Sequence, residues 1–234
     1  MKREITCYRY LRPTSDQWNL GVCWAMVIAR LLSAVYSKQL SNGSPVELSP
    51  QHMVDCFYPI IKDYLNEDDV GSQGDYPLST SFALILATYI KGIFLESEYE
   101  YEAVRGECRQ NVEGVRVAPT EEQIYHFEDT EDDLILIKST LDKGIPIAAN
   151  IDPCDSFHEY KNGIFTVGPD EEKGKGSGHS VLIVGYGQDG VVPYYWIQNS
   201  WGEEWGIEGF GKVQRSLLTH LVTTFNVTAR LKTD

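Results

Sequence analysis

The chain reads as an α+β protein on two observations: helix patterns dominate its first half, and from about residue 115 glycine-bounded strand patterns take over. After GVC, the run WAMVIARLLSAVYSK (24–38) is apolar on most faces, which predicts a long helix buried between layers rather than lying on a surface. SPQHMVDCF (49–57) opens with Ser49 as N-cap and Pro50 at the first helical position, where a missing N–H costs nothing. STSFALILATYIKG (79–92) begins with a capping hydroxyl and stops at Gly92, where a left-handed cap is expected. TEDDLILIKSTLDKG (130–144) sets Thr130 and Asp133 in capping-box spacing and ends at Gly144. Strands are expected at IPIAANI (145–151), HSVLIVGYG (179–187), YYWIQNS (194–200), GFGKV (209–213) and VTTFNVT (222–228). A helical lobe beside a sheet lobe would leave a functional site between them.

The 234 residues, 42% of them hydrophobic, are enough for one large domain with a substantial core. A net charge of −14 repels both nucleic acid and an anionic membrane surface, so neither is an expected partner. No apolar run reaches the roughly 18 residues of a membrane-spanning helix, and MKREITCYRY (1–10) has no apolar stretch of the signal-peptide kind. Either a leader was removed before residue 1 or translation starts there; the sequence leaves both open. Sequons at Asn42 and Asn226 matter only on the secretory route, and Pro45 makes the first a poor acceptor. The five cysteines are an odd number, which leaves at least one free thiol. They form no C-x-x-C and no close His/Cys cluster, so no metal is expected, and nothing calls for a cofactor.

The first candidate for chemistry lies in QWNLGVCWAM (17–26). A helix that begins at Cys23 would hold its thiol at the positive end of the macrodipole, which favours the nucleophilic thiolate. Taken alone, such a cysteine is usually packing. The second half changes that reading: His179 stands at the start of one apolar strand and Asn199 at the end of the next. Adjacent strands would bring imidazole and amide together, and an imidazole oriented by an amide can serve a thiol as general base.

With these residues assembled, the chain resembles the papain-like cysteine peptidases. The matching stretches are Gln17 with GVCWA, LSPQHMVDC (48–56), GSQGDYP (71–77), GHSVLIVGYG (178–187) and IQNSWGEEWGIEGFGKV (197–213), in the family's order and across nearly the whole chain. The resemblance implies a two-lobed fold: a helical left lobe of roughly residues 12–115, and an antiparallel, β-barrel-like right lobe of roughly 116–234 with an N-terminal strand at 1–11. The cleft would lie between them, in a single peptidase domain. It implies Cys23 as nucleophile, His179 as its ion-pair partner and proton donor to the leaving amine, and Asn199 as orienter of the imidazole. Gln17 would donate to the oxyanion, and Trp201 would shield the His179–Asn199 contact from water. His179 and Asn199 lie 156 and 176 positions after Cys23, against about 130–150 in the family rule, so modest insertions are implied.

By the same alignment the substrate would meet Gly74, Asp75, Tyr76, Pro77, Asn150, Ser177, Gly178, Ser180 and Trp201. Asn150 and Ser177 fall where the family often has aliphatic residues, which predicts a more polar or weaker preference two residues before the cut. Asp75 replaces a glycine that pairs with substrate; its side chain would either narrow the cleft and attract a basic residue, or point to solvent. Leu20 and Ser72 occupy both half-cystine positions of a usual bridge, so that bridge is absent. A Cys56–Cys108 bridge is implied as retained. A Cys7–Cys154 bridge in the right lobe would close the count, against two separate thiols. Trp18 stands where glycine is usual and has no explanation in the sequence.

Two functions remain open at this point. The first is a cysteine endopeptidase, a hydrolase acting through a Cys23 thioester. The second is an inactive or weak homologue that binds peptides, inhibitors or a partner, with Trp18 packed across the cleft as one means. Family-based expectations are peptide or protein substrates, cystatin-like inhibitors, a monomer, no nucleic acid and no membrane. The expected location is lysosomal, vacuolar or extracellular if a leader was removed.

Overall fold

The computed structural model describes residues 5–11, 13–18, 20–40, 44–128, 130–168 and 178–232. Ser177 and the Asn42 sequon lie outside the described residues. Five α-helices are described: α1 (Cys23–Gln39), α2 (Pro50–Ile61), α3 (Thr80–Tyr89), α4 (Glu131–Asp142) and the single turn α5 (Asp155–His158). The strands are β1 (Ile93–Phe94), β2 (Gly114–Pro119), β3 (Ile124–His126), β4 (Ile147–Ile151), β5 (Ile164–Phe165), β6 (His179–Asp189), β7 (Val192–Gln198), β8 (Phe210–Gln214), β9 (Thr219–Thr224) and β10 (Val227–Lys232).

The caps act as read. Ser49 Oγ accepts the His52 N–H (3.0 Å), and Ser79 Oγ accepts that of Phe82 (3.2 Å). The capping box of α4 is half formed: Thr130 Oγ1 accepts the Asp133 N–H (3.1 Å), but the Asp133 carboxylate turns to Tyr125 OH and Glu128 N–H instead. Gly144 ends α4 in the left-handed region, at φ +75°.

Helix α1 is buried on most faces, as its apolar run predicts, and packs against β6, β4 and β9 as well as α2 and α3. Trp24, Val27, Ile28, Leu31, Leu32 and Val35 are each almost wholly buried. At roughly 1.5–3 kcal/mol per large apolar side chain, this helix is the main joint between the two halves.

The larger sheet has the order β3-β9-β4-β6-β7-β8-β5, antiparallel except for the parallel edge pair β5–β8, and it does not close into a barrel. A smaller antiparallel sheet, β1-β2-β10, lies on the helical side. The run VTTFNVT, expected as one strand, is therefore two: the chain leaves the large sheet at Phe225–Asn226 and β10 crosses to pair with β2. Gln39 at the end of α1 fastens the crossing by bonding both the N–H and the C=O of Val227 (3.0 Å each). Residues 5–11 form no strand; Tyr8–Tyr10 is a 3-10 turn, and the Cys7 N–H reaches Val184 O on β6 (3.2 Å).

Cys56 and Cys108 are bridged, closing a sequence separation of 52 residues. The Cys7–Cys154 bridge is not formed; both are free, buried thiols. Cys7 sits beside Val184, whereas Cys154 lies beyond Ile151, which pairs with His179 at the other end of the same stretch of β6. Five residues along a strand span roughly 16 Å, well beyond the about 4.4–6.8 Å between Cα atoms that a disulfide bridges.

Candidate active site

Helix α1 begins at Cys23, so the thiol stands at its N-terminus, where backbone N–H groups have no intrahelical acceptor. Sγ accepts the Ser180 N–H at 3.4 Å from the start of β6. Burial pushes the thiol pKa up, but the hydrogen bond and charge of His179, with the Ser180 contacts, more than offset this and leave it below the ordinary thiol value.

His179 opens β6 and is buried; its Nε2 lies 2.7 Å from Asn199 Oδ1. The same Oδ1 accepts the Ser200 N–H at 2.8 Å, which identifies it as the amide oxygen and makes Nε2 the donor. The other ring nitrogen is thereby left to face Cys23. Trp201 stacks on the imidazole with centroids 4.4 Å apart, and on His158 at 4.6 Å, so the His179–Asn199 contact is covered.

Gln17 is buried, and its amide is held at both ends: Oε1 accepts from Ser200 Oγ (2.5 Å) and Nε2 donates to Leu20 O (2.9 Å). One Nε2 hydrogen remains for a ligand. Ser200 thus joins the backbone of the Asn199 loop to the amide of Gln17, a link that residue spacing does not reveal.

These residues share one cleft of about 1020 Å³, whose wall includes Gln17, Cys23, His179 and Trp201. Asp75, Pro77, Asn150, Gly178 and Ser180 also line it. Ser180 Oγ donates to Asn150 Oδ1 (3.2 Å), so this polar wall partly satisfies itself. Tyr76 reaches the cleft too, but its ring is 1% exposed and its hydroxyl bonds Met53 O and Val54 O in the core. Gly74 does not line the cleft: it holds φ +81° with its N–H on Gly71 O, and an added Cβ would stand 3.0 Å from Arg105 Nε. Sequence reading missed Asp68, Asp69, Ser79 and His158 on the wall. Ser79 is read from the sequence only as a helix cap and the other three sit in no motif; for His158 the signal is only its place one residue after the buried Phe157.

Asp75 does not point to solvent. Its Oδ2 accepts the Gly21 N–H at 3.0 Å, two residues before Cys23. An added Cβ at Gly21 or Gly71 would come within 2.6 Å of that carboxylate, so the two glycines make room for it. Leu20 is buried and Ser72 exposed where the missing bridge would run. A carboxylate clasp across 54 positions therefore ties the same two loops that a disulfide would. Trp18 is also explained in part: its φ is +56°, the left-handed region that favours glycine, and Asp16 Oδ1 holds its N–H at 2.7 Å. The indole is 70% exposed and stands off the cleft wall, so it does not pack across the cleft.

Residues 2–228 match the family model described as papain family cysteine protease. The chain belongs to the papain family of cysteine proteases. Among its papain-family relatives, "Cysteine proteinase 2" of Zea mays is 32% identical over 206 residues, 86% of this chain and 52% of the relative. "Viral cathepsin" of Rachiplusia ou multiple nucleopolyhedrovirus (strain R1) is 32% identical over 204 residues, 86% of this chain and 55% of the relative. The chain thus spans about half the length of the curated relatives it matches. The fold is shared with the Carica candamarcensis cysteine protease CMS1MS2, whose structure is a complex with E-64: TM-score 0.70, 24% identity, 94% of this chain and 96% of that one.

Proposed function

We propose that the chain is a papain-type cysteine endopeptidase acting by acyl transfer through Cys23. The observation that carries this reading is the polarity of the Ser200–Asn199–His179 chain of hydrogen bonds, which leaves an oriented imidazole nitrogen for the Cys23 thiol. The thiolate attacks the scissile carbonyl carbon. The oxyanion that forms is received by the remaining Gln17 Nε2 hydrogen and the Cys23 backbone N–H; each such donor is typically worth about 2.7–4 kcal/mol. The imidazolium of His179 protonates the leaving amine as the C–N bond breaks, giving a thioester. Water then attacks that carbonyl, giving its proton to His179, and the acid product leaves with the thiolate–imidazolium pair restored. Asn150 and Ser180 on the upstream wall favour a polar or weakly selected side chain there.

The test is intact-mass labelling with E-64, followed by turnover of a fluorogenic peptide library. Single-site labelling that disappears in Cys23→Ala, together with hydrolysis, is the expected result. Cys7 is fully buried with its pKa pushed up to about 12 by that burial, so it should stay unlabelled until unfolding. On protein not treated with E-64, alkylation under denaturing, non-reducing conditions should count three thiols: Cys7, Cys23 and Cys154. Labelling without hydrolysis would replace the peptidase by the binding homologue.

A further inference from the structure

Arg30 is the one charged residue within the first four turns of α1, where only Lys38 near its end is also charged, and it lies seven residues after Cys23. Seven residues are two helical turns, so both side chains project from one face of the helix, about 10.5 Å apart along its axis. From there the guanidinium leaves α1 and grips the segments that carry the other site residues. Its Nη1 donates to Asn199 O (2.8 Å), and its Nη2 donates to Ser15 O (3.2 Å) and Ser15 Oγ (2.7 Å). Ser15 leads into Gln17 and also receives the Gly202 N–H on its carbonyl (3.4 Å). The rest of the Asn199 loop is pinned from other directions: Asn199 N–H to Gly209 O, and Gln17 N–H to Ser200 O, both 2.9 Å. The guanidinium lines a small cavity with Glu47, Glu96 and Tyr101, and Glu47 is the charge that attracts it.

We infer that Arg30 is a positioning residue for the reaction: it fixes the Asn199 carbonyl and the strand entering Gln17 to the helix that bears Cys23. This rests on the peptidase reading above. A planar fork suits the task because acceptors on two separate segments must be held at once in a fixed relative geometry; an ammonium has three donors but is a point charge on a flexible stem and fixes no such plane. Loss of the fork would leave the Asn199 and Ser15 carbonyls short of a donor and let the loop 199–202 relax. The His179–Asn199 bond would then loosen, and with it the stability of the thiolate–imidazolium pair. A misplacement of about 1 Å at such a centre can cost on the order of 100-fold in rate.

The experiment compares wild type, Arg30→Met and Arg30→Lys, each normalised to E-64-titratable sites so that misfolded protein does not count. Arg30→Met should lose about 10- to 100-fold in kcat with KM little changed. The acid limb of its Cys23 alkylation rate should move up toward the ordinary thiol range. Arg30→Lys should recover part of both. Should Arg30→Met fail to fold, Arg30→Lys alone decides, with a severalfold loss of kcat expected. Titrated kcat and an alkylation profile indistinguishable from wild type in the folded variant, whatever its melting temperature, would overturn the inference. A wild type that neither labels nor hydrolyses would instead remove the peptidase reading on which it rests.

Discussion

His52 offers the sharpest stability prediction. It lies on α2, its side chain is 0% exposed, and among the described residues neither ring nitrogen has a hydrogen-bond partner. Its neighbours are the rings of Phe94 (4.9 Å) and Tyr99 (5.1 Å). Burial first, then the charges of Arg116 and Lys232, push its pKa from 6.5 down to about 3. The folded value is below the unfolded one, so below pH 6.5 the unfolded chain takes up a proton that the folded chain refuses, and stability falls toward pH 3. At about 1.36 kcal/mol per unit the loss is roughly 2 kcal/mol at pH 5 and roughly 4 kcal/mol by pH 3. An unpartnered buried N–H adds a pH-independent cost of about 1–3 kcal/mol. His52→Met, of similar volume and apolar, removes both. Urea unfolding at pH 7.5 and pH 5 should therefore show the variant more stable than wild type at both, with the gap about 2 kcal/mol wider at pH 5. Glu96 sharpens the test. Burial, with Glu47 and Glu100, raises its pKa to about 7 against the Tyr101 N–H, so it costs stability as pH rises from 4.5 to 7. The two slopes oppose one another in wild type; the variant should show the Glu96 slope alone. A gap equal at both pH values would refute the buried, neutral His52.

Two further substitutions test the loops around Cys23. Asp75→Ala should lose about 1–2 kcal/mol, the low end for a charge-assisted bond on a half-exposed group, and slow E-64 labelling severalfold. Asp75→Asn, which keeps an acceptor oxygen for the Gly21 N–H, should stay near wild type; equal losses in both variants would remove the clasp. Trp18→Gly should raise stability by about 0.5–1 kcal/mol, because a left-handed non-glycine residue costs roughly 1–2 kcal/mol and glycine returns part of that as chain entropy. A fall in melting temperature would mean the exposed indole makes contacts that outweigh its backbone.

Some of this was legible because the chemistry pins residue type to position. Cys23 at a helix start, His179 at a strand start and Asn199 at the next strand end can be read from local pattern, as can the caps at Ser49, Ser79 and Thr130. The switch between sheets at Phe225–Asn226 was not legible, because VTTFNVT runs through it without glycine or proline. Asp75 was not legible because its partner is a backbone N–H 54 positions away, which no side-chain pattern announces. Parity suggested a Cys7–Cys154 bridge, but parity carries no distance.

Arg30 and His52 show how far composition can be pushed. Each is a polar side chain set into a helix that the fold buries on most faces, and burial obliges it to find partners or to bear a cost. Nothing in the local sequence says how either position is resolved. At Arg30 the fold supplies acceptors on Asn199 and Ser15, so the charge becomes a strut between Cys23's helix and the loop behind His179. At His52 it supplies only aromatic faces, and the imidazole must stay neutral. The first outcome ties stability to the site; the second makes the fold lose stability as pH falls below 6.5.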